Sequence, residues 1–179
     1  MSQHFLPLGV VLLLFVGCQS AENARISPPP LPTTIPSDSD LVERFENHRE
    51  MLQTLVRMIT DDDLGLVDAQ GHLMPEARRL SDERQTNYRS MLSGASFLYM
   101  TRYVDVATHS DVVMFYAASR DVGLETWSKG LMYSGSLPGP LVLSLDDDLA
   151  LERSPGRKYR RVAPAWYIFY HHDDLSVVI

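Results

Sequence analysis

Between Ser37 and Ala95 apolar residues return every three or four positions, and beyond residue 96 they crowd instead into short runs of aromatic and β-branched side chains. A change of period from helix to strand inside one chain restricts the fold to helices packed on a sheet. Ser37, Asp38, Ser39 and Asp40 offer capping side chains, and the LVERFENHREMLQTLVRMI that follows sets Phe45, Leu52, Val56 and Ile59 at helical spacing. A second helix is expected from Ser81, Asp82 and Glu83, with Tyr88, Met91, Leu92 and Ala95 on one face and Gly94 near its stop. Residues 61–80 between them, with Gly65, Gly71 and Pro75, read as a long irregular loop.

The later segments FLYMTRYVDV, DVVMFYAAS, GLMYSGS, LVLSL and AWYIFYHH read as strands. The breaks between them, such as Arg120 and Asp121 or Leu137, Pro138 and Gly139, are mostly too short for crossover helices. The expected fold is therefore α+β: two amphipathic helices packed on one face of an antiparallel meander sheet of four or five strands. Residues 111–118 and 165–170, apolar on both faces, are the expected central strands.

A chain of 179 residues with 45% hydrophobic content supports one packed core, placed at residues 39–179. The net charge of -7 makes nucleic acid an unfavourable partner. Ahead of the domain, residues 5–17 form an uncharged apolar run, FLPLGVVLLLFVG, that stops at Cys18, the only cysteine. The run is too short to span a bilayer, which takes about 20 helical residues, and it has the length of a secretory signal's apolar region. Residues 1–17 are thus expected to be a signal peptide. Residues 18–38 then form a linker in which Pro28, Pro29, Pro30, Pro32 and Pro36 favour an extended spacer.

Phe15, Val16, Gly17 and Cys18 resemble the lipobox of bacterial lipoproteins, with Phe15 where Leu is usual and no Lys or Arg ahead of the apolar run. The resemblance implies lipidation of Cys18 by acyl chains such as palmitate and a membrane anchor. Gln19, in place of the Asp that holds such proteins at the inner membrane, implies the outer membrane, facing the periplasm. FENHREMLQTLVRMI, SDERQTNYRSML and PAWYIFYHHDD are similar to segments of small Gram-negative lipoproteins that carry no assigned activity. That similarity bears on architecture and leaves the activity open.

Candidate chemistry is sparse. No nucleophile elbow, HExxH pair, phosphate loop or dinucleotide fingerprint is present. His171 and Asp173 fall on one face of a strand and His172 and Asp174 on the other, so a metal held by His171 and Asp173 needs further ligands such as His109 or His72. The triplets Asp61, Asp62, Asp63 and Asp146, Asp147, Asp148 do not follow the calcium-loop spacing and read as turn acids. His48 reads as a boundary imidazole of the first helix. Arg153, Arg157, Lys158, Arg160 and Arg161 form the one basic stretch, a candidate contact for an anionic group or a partner protein. Tyr159, Trp166, Tyr167, Phe169 and Tyr170 are core, or else a binding surface if the helices leave one sheet face free.

These readings favour a non-enzymatic binding or interaction module of the envelope, with no cofactor beyond the covalent lipid and with an envelope protein as a candidate partner. The alternatives are a metal-assisted hydrolase using the C-terminal His and Asp residues, and an immunity or inhibitor lipoprotein.

Overall fold

The computed structural model describes residues 35–75, 80–122, 125–136, 139–146 and 156–174. The expected signal peptide, Cys18, most of the linker, Arg153, Asp147 and Asp148 lie outside the described residues.

Helix α1 spans Asp38–Asp61. Ser37 caps it: its hydroxyl accepts from the Asp40 amide at 3.1 Å, and the Asp40 carboxylate accepts from the Ser37 amide at 3.0 Å. Leu41, Phe45, Leu52, Leu55 and Ile59 form the buried stripe, and the helix kinks at His48 (φ -123°, ψ 17°), which is half-buried. Helix α2 spans Asp82–Gly94 from the cap Ser81 and buries Tyr88 and Leu92. Among the described residues no helix is long and apolar enough to cross a membrane.

The strands are β1 (Leu66–Asp68), β2 (Leu73–Met74), β3 (Tyr99–Asp105), β4 (Ser110–Val122), β5 (Glu125–Ser134), β6 (Gly156–Ala163) and β7 (Trp166–Asp174). They form one antiparallel sheet of seven strands in the order β2-β1-β3-β4-β5-β7-β6. The α+β class is as read from the sequence, but the strand number of four or five is not. Two extra strands come from the expected irregular loop, where β1 and β2 pair as a short hairpin. Asp68 builds its turn, accepting from the amides of Gln70 and His72 at 2.9 and 2.8 Å, and Gly71 takes φ +96°. Strands this short show no alternation to read.

The meander also breaks at its far end, because β5 pairs with β7 and leaves β6 at the edge. Of the basic stretch, Arg157, Lys158, Arg160 and Arg161 lie in strand β6, while Arg153 falls outside the described residues. Conversely, LVLSL forms no ladder: Leu141 makes a single parallel bridge to Tyr159, and Leu143 is exposed. Residues 139–146 act as a strap past β6, donating from the Val142 amide to the Tyr159 carbonyl at 2.8 Å and burying Leu145.

One buried cluster joins the helices to the sheet: Leu41, Phe45, Leu52 and Leu92 pack with Met100, Phe115, Leu131, Trp166 and Ile168. The Trp166 ring lies 5.2 Å from Phe45 and 6.0 Å from Phe115. On the opposite sheet face a smaller cluster gathers Val112, Met114, Met132, Tyr159, Tyr167 and Phe169. The ladder of β4 and β5 shifts between Tyr116 and Ala118, a bulge that increases local twist. Gly130 sits opposite it, where any Cβ would collide with the Phe115 carbonyl.

Candidate functional site

The sheet face turned away from the helices carries a groove of about 260 Å³. Strand alternation assigns its walls. Tyr99, Thr101 and Tyr103 come from β3, and Met114, Tyr116 and Ser119 from β4. Thr126 and Ser128 come from β5, His171 and Asp173 from β7, and Arg157 from β6. In a flat sheet β3 and β6 would lie four spacings apart, about 19 Å, so lining one small space from both requires the sheet to curl toward this face.

The rings of Tyr99 and Tyr116 stack at 4.2 Å with 16° between their planes. The Tyr116 hydroxyl donates to Met114 Sδ at 3.6 Å, and the Ser119 and Thr101 hydroxyls act on the Tyr99 and Tyr116 phenols respectively. The His171 Nε2 meets the Tyr159 hydroxyl at 3.1 Å. Burial, reinforced by Arg157 and opposed by Asp173, pushes the His171 pKa down to about 4, so the imidazole is neutral at pH 7. Burial likewise pushes Tyr159 up to about 12 and raises Tyr99, Tyr103 and Tyr116, so every phenol keeps its proton. At the mouth Arg157 Nε stands 3.8 Å from Asp173 Oδ1, a loose pair with both side chains about half exposed.

Ser128 is 8% exposed, and neither its hydroxyl nor that of Thr126 has a hydrogen-bond partner among the described residues. The Nδ1 of His171, itself 6% exposed, is likewise unpartnered among them. These polar atoms open onto the space of the groove, where a ligand can replace the water they would otherwise bond.

His171 and Asp173 share this face, as strand alternation requires, and the structure separates them from His109. That residue is exposed in the turn after β3, at the end of the sheet where Val112 faces Ser134, whereas His171 lies opposite Ser128. The interval from Val112 to Ser119 along β4 is about 23 Å at 3.3 Å per residue. His72 is bonded to Asp68 on the β1–β2 hairpin at 2.6 Å. Among the described residues no three His, Cys, Asp or Glu side chains gather closely enough to hold a metal ion.

Strand β6 splits the basic stretch. Arg157 faces the groove, while Arg160 turns to the helix side and reaches the Asp38 carboxylate at 3.0 Å. Asp38, 1% exposed, also accepts from the Leu145 amide at 2.8 Å and pairs with Lys129 Nζ at 2.9 Å. Lys129 further reaches the Asp146 carboxylate at 2.9 Å and the Leu145 carbonyl at 3.0 Å. Burial alone would raise the Asp38 pKa; the Leu145 amide, Lys129 and Arg160 outweigh it and hold the carboxyl below its ordinary range. This clasp fastens the strap to α1 and the sheet. Of the first Asp triplet, Asp62 accepts from Arg84 at 2.8 Å and from the Tyr88 hydroxyl at 2.7 Å, and Asp63 pairs with Arg102 at 3.1 Å.

On the helix-facing side His172, 3% exposed, stacks on Trp127 at 4.8 Å. Among the described residues neither of its ring nitrogens nor the Trp127 Nε1 has a hydrogen-bond partner, and the Glu125 carboxylate stands 3.6 Å from Nε2. A wider cleft of about 470 Å³ lies between α1 and β6, but its lining Arg160 is committed to Asp38. The groove residues missed in the sequence, all those contributed by β3, β4 and β5, carry no motif; only their period-two spacing within each strand could have grouped them.

No protein-family model, curated protein or solved structure compared with the chain matches it.

Proposed function

We infer that this chain is an exported lipoprotein, anchored to the envelope through Cys18, whose domain binds a small ligand in the groove of the helix-free sheet face. The anchor rests on the apolar run of residues 5–17 ending at the single cysteine, and the proline-rich linker supplies a spacer between lipid and domain. The binding role rests on one observation: neutral aromatic rings and hydroxyls with no protein partner among the described residues, Ser128 above all, face one concave space. Arg157 and Asp173 at its mouth are the polar groups that would orient a ligand.

Two measurements test the reading. Mass spectrometry of the membrane fraction is expected to give an acylated N-terminus at Cys18, with Cys18→Ser left unprocessed; an unmodified Met1 terminus from the cytosol removes the anchor. An NMR screen of polar fragments against the full chain is expected to shift resonances of Ser128, His171 and Tyr99 together. If no fragment moves them, the groove is not a binding site.

A further inference from the structure

We propose that the ligand of this groove is a saccharide, held with a ring face on Tyr99 of the stacked tyrosine pair and its hydroxyls on the Ser and Thr side chains of β4 and β5. The proposal rests on the binding role assigned to the groove and names its ligand class. Four properties of the space select that class.

The first is polarity. Apart from Met114, every side chain lining the groove carries a nitrogen or oxygen. An acyl chain or bare aromatic ligand would bury those groups without replacing their hydrogen bonds to water, which is unfavourable for each one. The occupant must bring its own hydroxyls, close together, and hydroxyls both donate and accept. The second is charge. With His171 and the phenols neutral and Arg157 beside Asp173, the groove holds one positive and one negative group, at its mouth. A phosphate ester or a polycation would leave one of the two opposed, whereas a planar guanidinium and a carboxylate side by side suit a neutral vicinal diol.

The third is shape. The Tyr99 and Tyr116 rings cover one face of each other and Phe169 meets Tyr116 edge-on, so the flat apolar surface left to the otherwise hydroxylated wall is that of Tyr99. A pyranose has this same division, with C–H groups on its faces and hydroxyls around its rim. The fourth is size. A space of about 260 Å³ is just below the range of about 300–1,000 Å³ for drug-sized ligands, which suits one or two sugar rings entering from an open side.

Saturation-transfer NMR on the full chain in lauryldimethylamine oxide micelles, a detergent free of sugar, tests the assignment. The probes are glucose, galactose, N-acetylglucosamine and their β-linked disaccharides, with phosphocholine, 4-nitrophenol and a blocked tetrapeptide as competitors of other classes. At least one sugar is expected to bind saturably, with transfer strongest to protons of one ring face. Ser128→Val, which keeps a strand-forming side chain, is expected to weaken it about fivefold to tenfold, the equivalent of one hydrogen bond. Tyr99→Leu is expected to weaken it more, and circular dichroism checks that both variants are folded. Sugar binding indifferent to both variants overturns the assignment of the site. A non-sugar probe that binds, sensitive to the same variants, with no sugar doing so, overturns the saccharide while the groove reading stands. If none of the probes binds, the saccharide assignment falls; the groove reading falls too only if the fragment screen is also silent.

Discussion

Two adjacent histidines on β7 face opposite sides of one sheet, and their surroundings make opposite predictions. His172 is buried against Trp127 with neither ring nitrogen hydrogen-bonded among the described residues, a state in which each orphaned group costs about 1–3 kcal/mol. Phenylalanine keeps the flat ring and removes the polar atoms, so His172→Phe is expected to raise stability by about 1–2 kcal/mol in urea unfolding; a loss of similar size would show that the imidazole has a partner in solution. His171 instead exerts its effect through protonation. Its folded pKa of about 4 lies below the ordinary 6.5, so between those values the unfolded chain binds more protons. Stability should therefore fall as pH drops from 6.5 toward 4, by up to about 3 kcal/mol, and change no further from this group below that. The Asp38 carboxyl, held below its ordinary 3.8, acts in a separate window, its contribution being lost only as pH falls below that value. His171→Phe should flatten the stability profile between pH 4 and 6.5, and an unchanged slope would assign it elsewhere.

The strap of residues 139–146 has almost no secondary structure, and its position depends on the clasp between Lys129, Asp38 and Asp146. A buried ion pair broken on one side leaves an uncompensated charge, which costs about 3–5 kcal/mol. Lys129→Met should destabilise the chain by about that amount, and adding Asp38→Asn should recover part of it. If the double variant falls by the sum of the single losses, the pair is not coupled. That clasp also marks the limit of what the sequence conveys. Helices α1 and α2 were legible because Ser37 and Ser81 cap them and their apolar residues recur over several turns. Strands β3, β4 and β7 were legible because they are long and aromatic. LVLSL has the composition of a strand yet is held by the buried Leu145, by the hydrogen bonds of Leu145 with Asp38 and Lys129, and by the salt link of the adjoining Asp146 to Lys129, a tertiary arrangement that no local pattern encodes. β6 was obscured for the converse reason: Arg157, Lys158, Arg160 and Arg161 look like a solvated loop, and only pairing with β7 divides them between two faces. The groove was partly legible, in that His171 and Asp173 were placed on one face. Ser128 and Thr126 gained meaning only once the sheet curled and brought β3 toward β6.

At the scale of the whole molecule, the same strands carry the helix-side core on one face and the groove-side cluster on the other, so neither can be loosened alone. Phe115 packs against Phe97 at 5.7 Å and Trp166 at 6.0 Å in the helix-side core, and Met132 lies fully buried on the other face of the neighbouring strand. Truncating a buried Phe to Ala costs about 3–5 kcal/mol and a buried Met about 2–5 kcal/mol, against a total of about 5–15 kcal/mol for a typical domain. If the sheet unfolds as one unit, Phe115→Ala and Met132→Ala should each lower the urea midpoint by the same amount whether followed by Trp127 and Trp166 fluorescence or by far-ultraviolet circular dichroism. The slope of stability on urea should stay constant, since the surface exposed on unfolding is unchanged. Transitions that separate by probe in the Met132 variant alone would mean that the groove side opens while the helices stay docked. The ligand face would then be a locally unfolding region rather than a preformed site, and the groove's stacked tyrosines would lose their part in recognition.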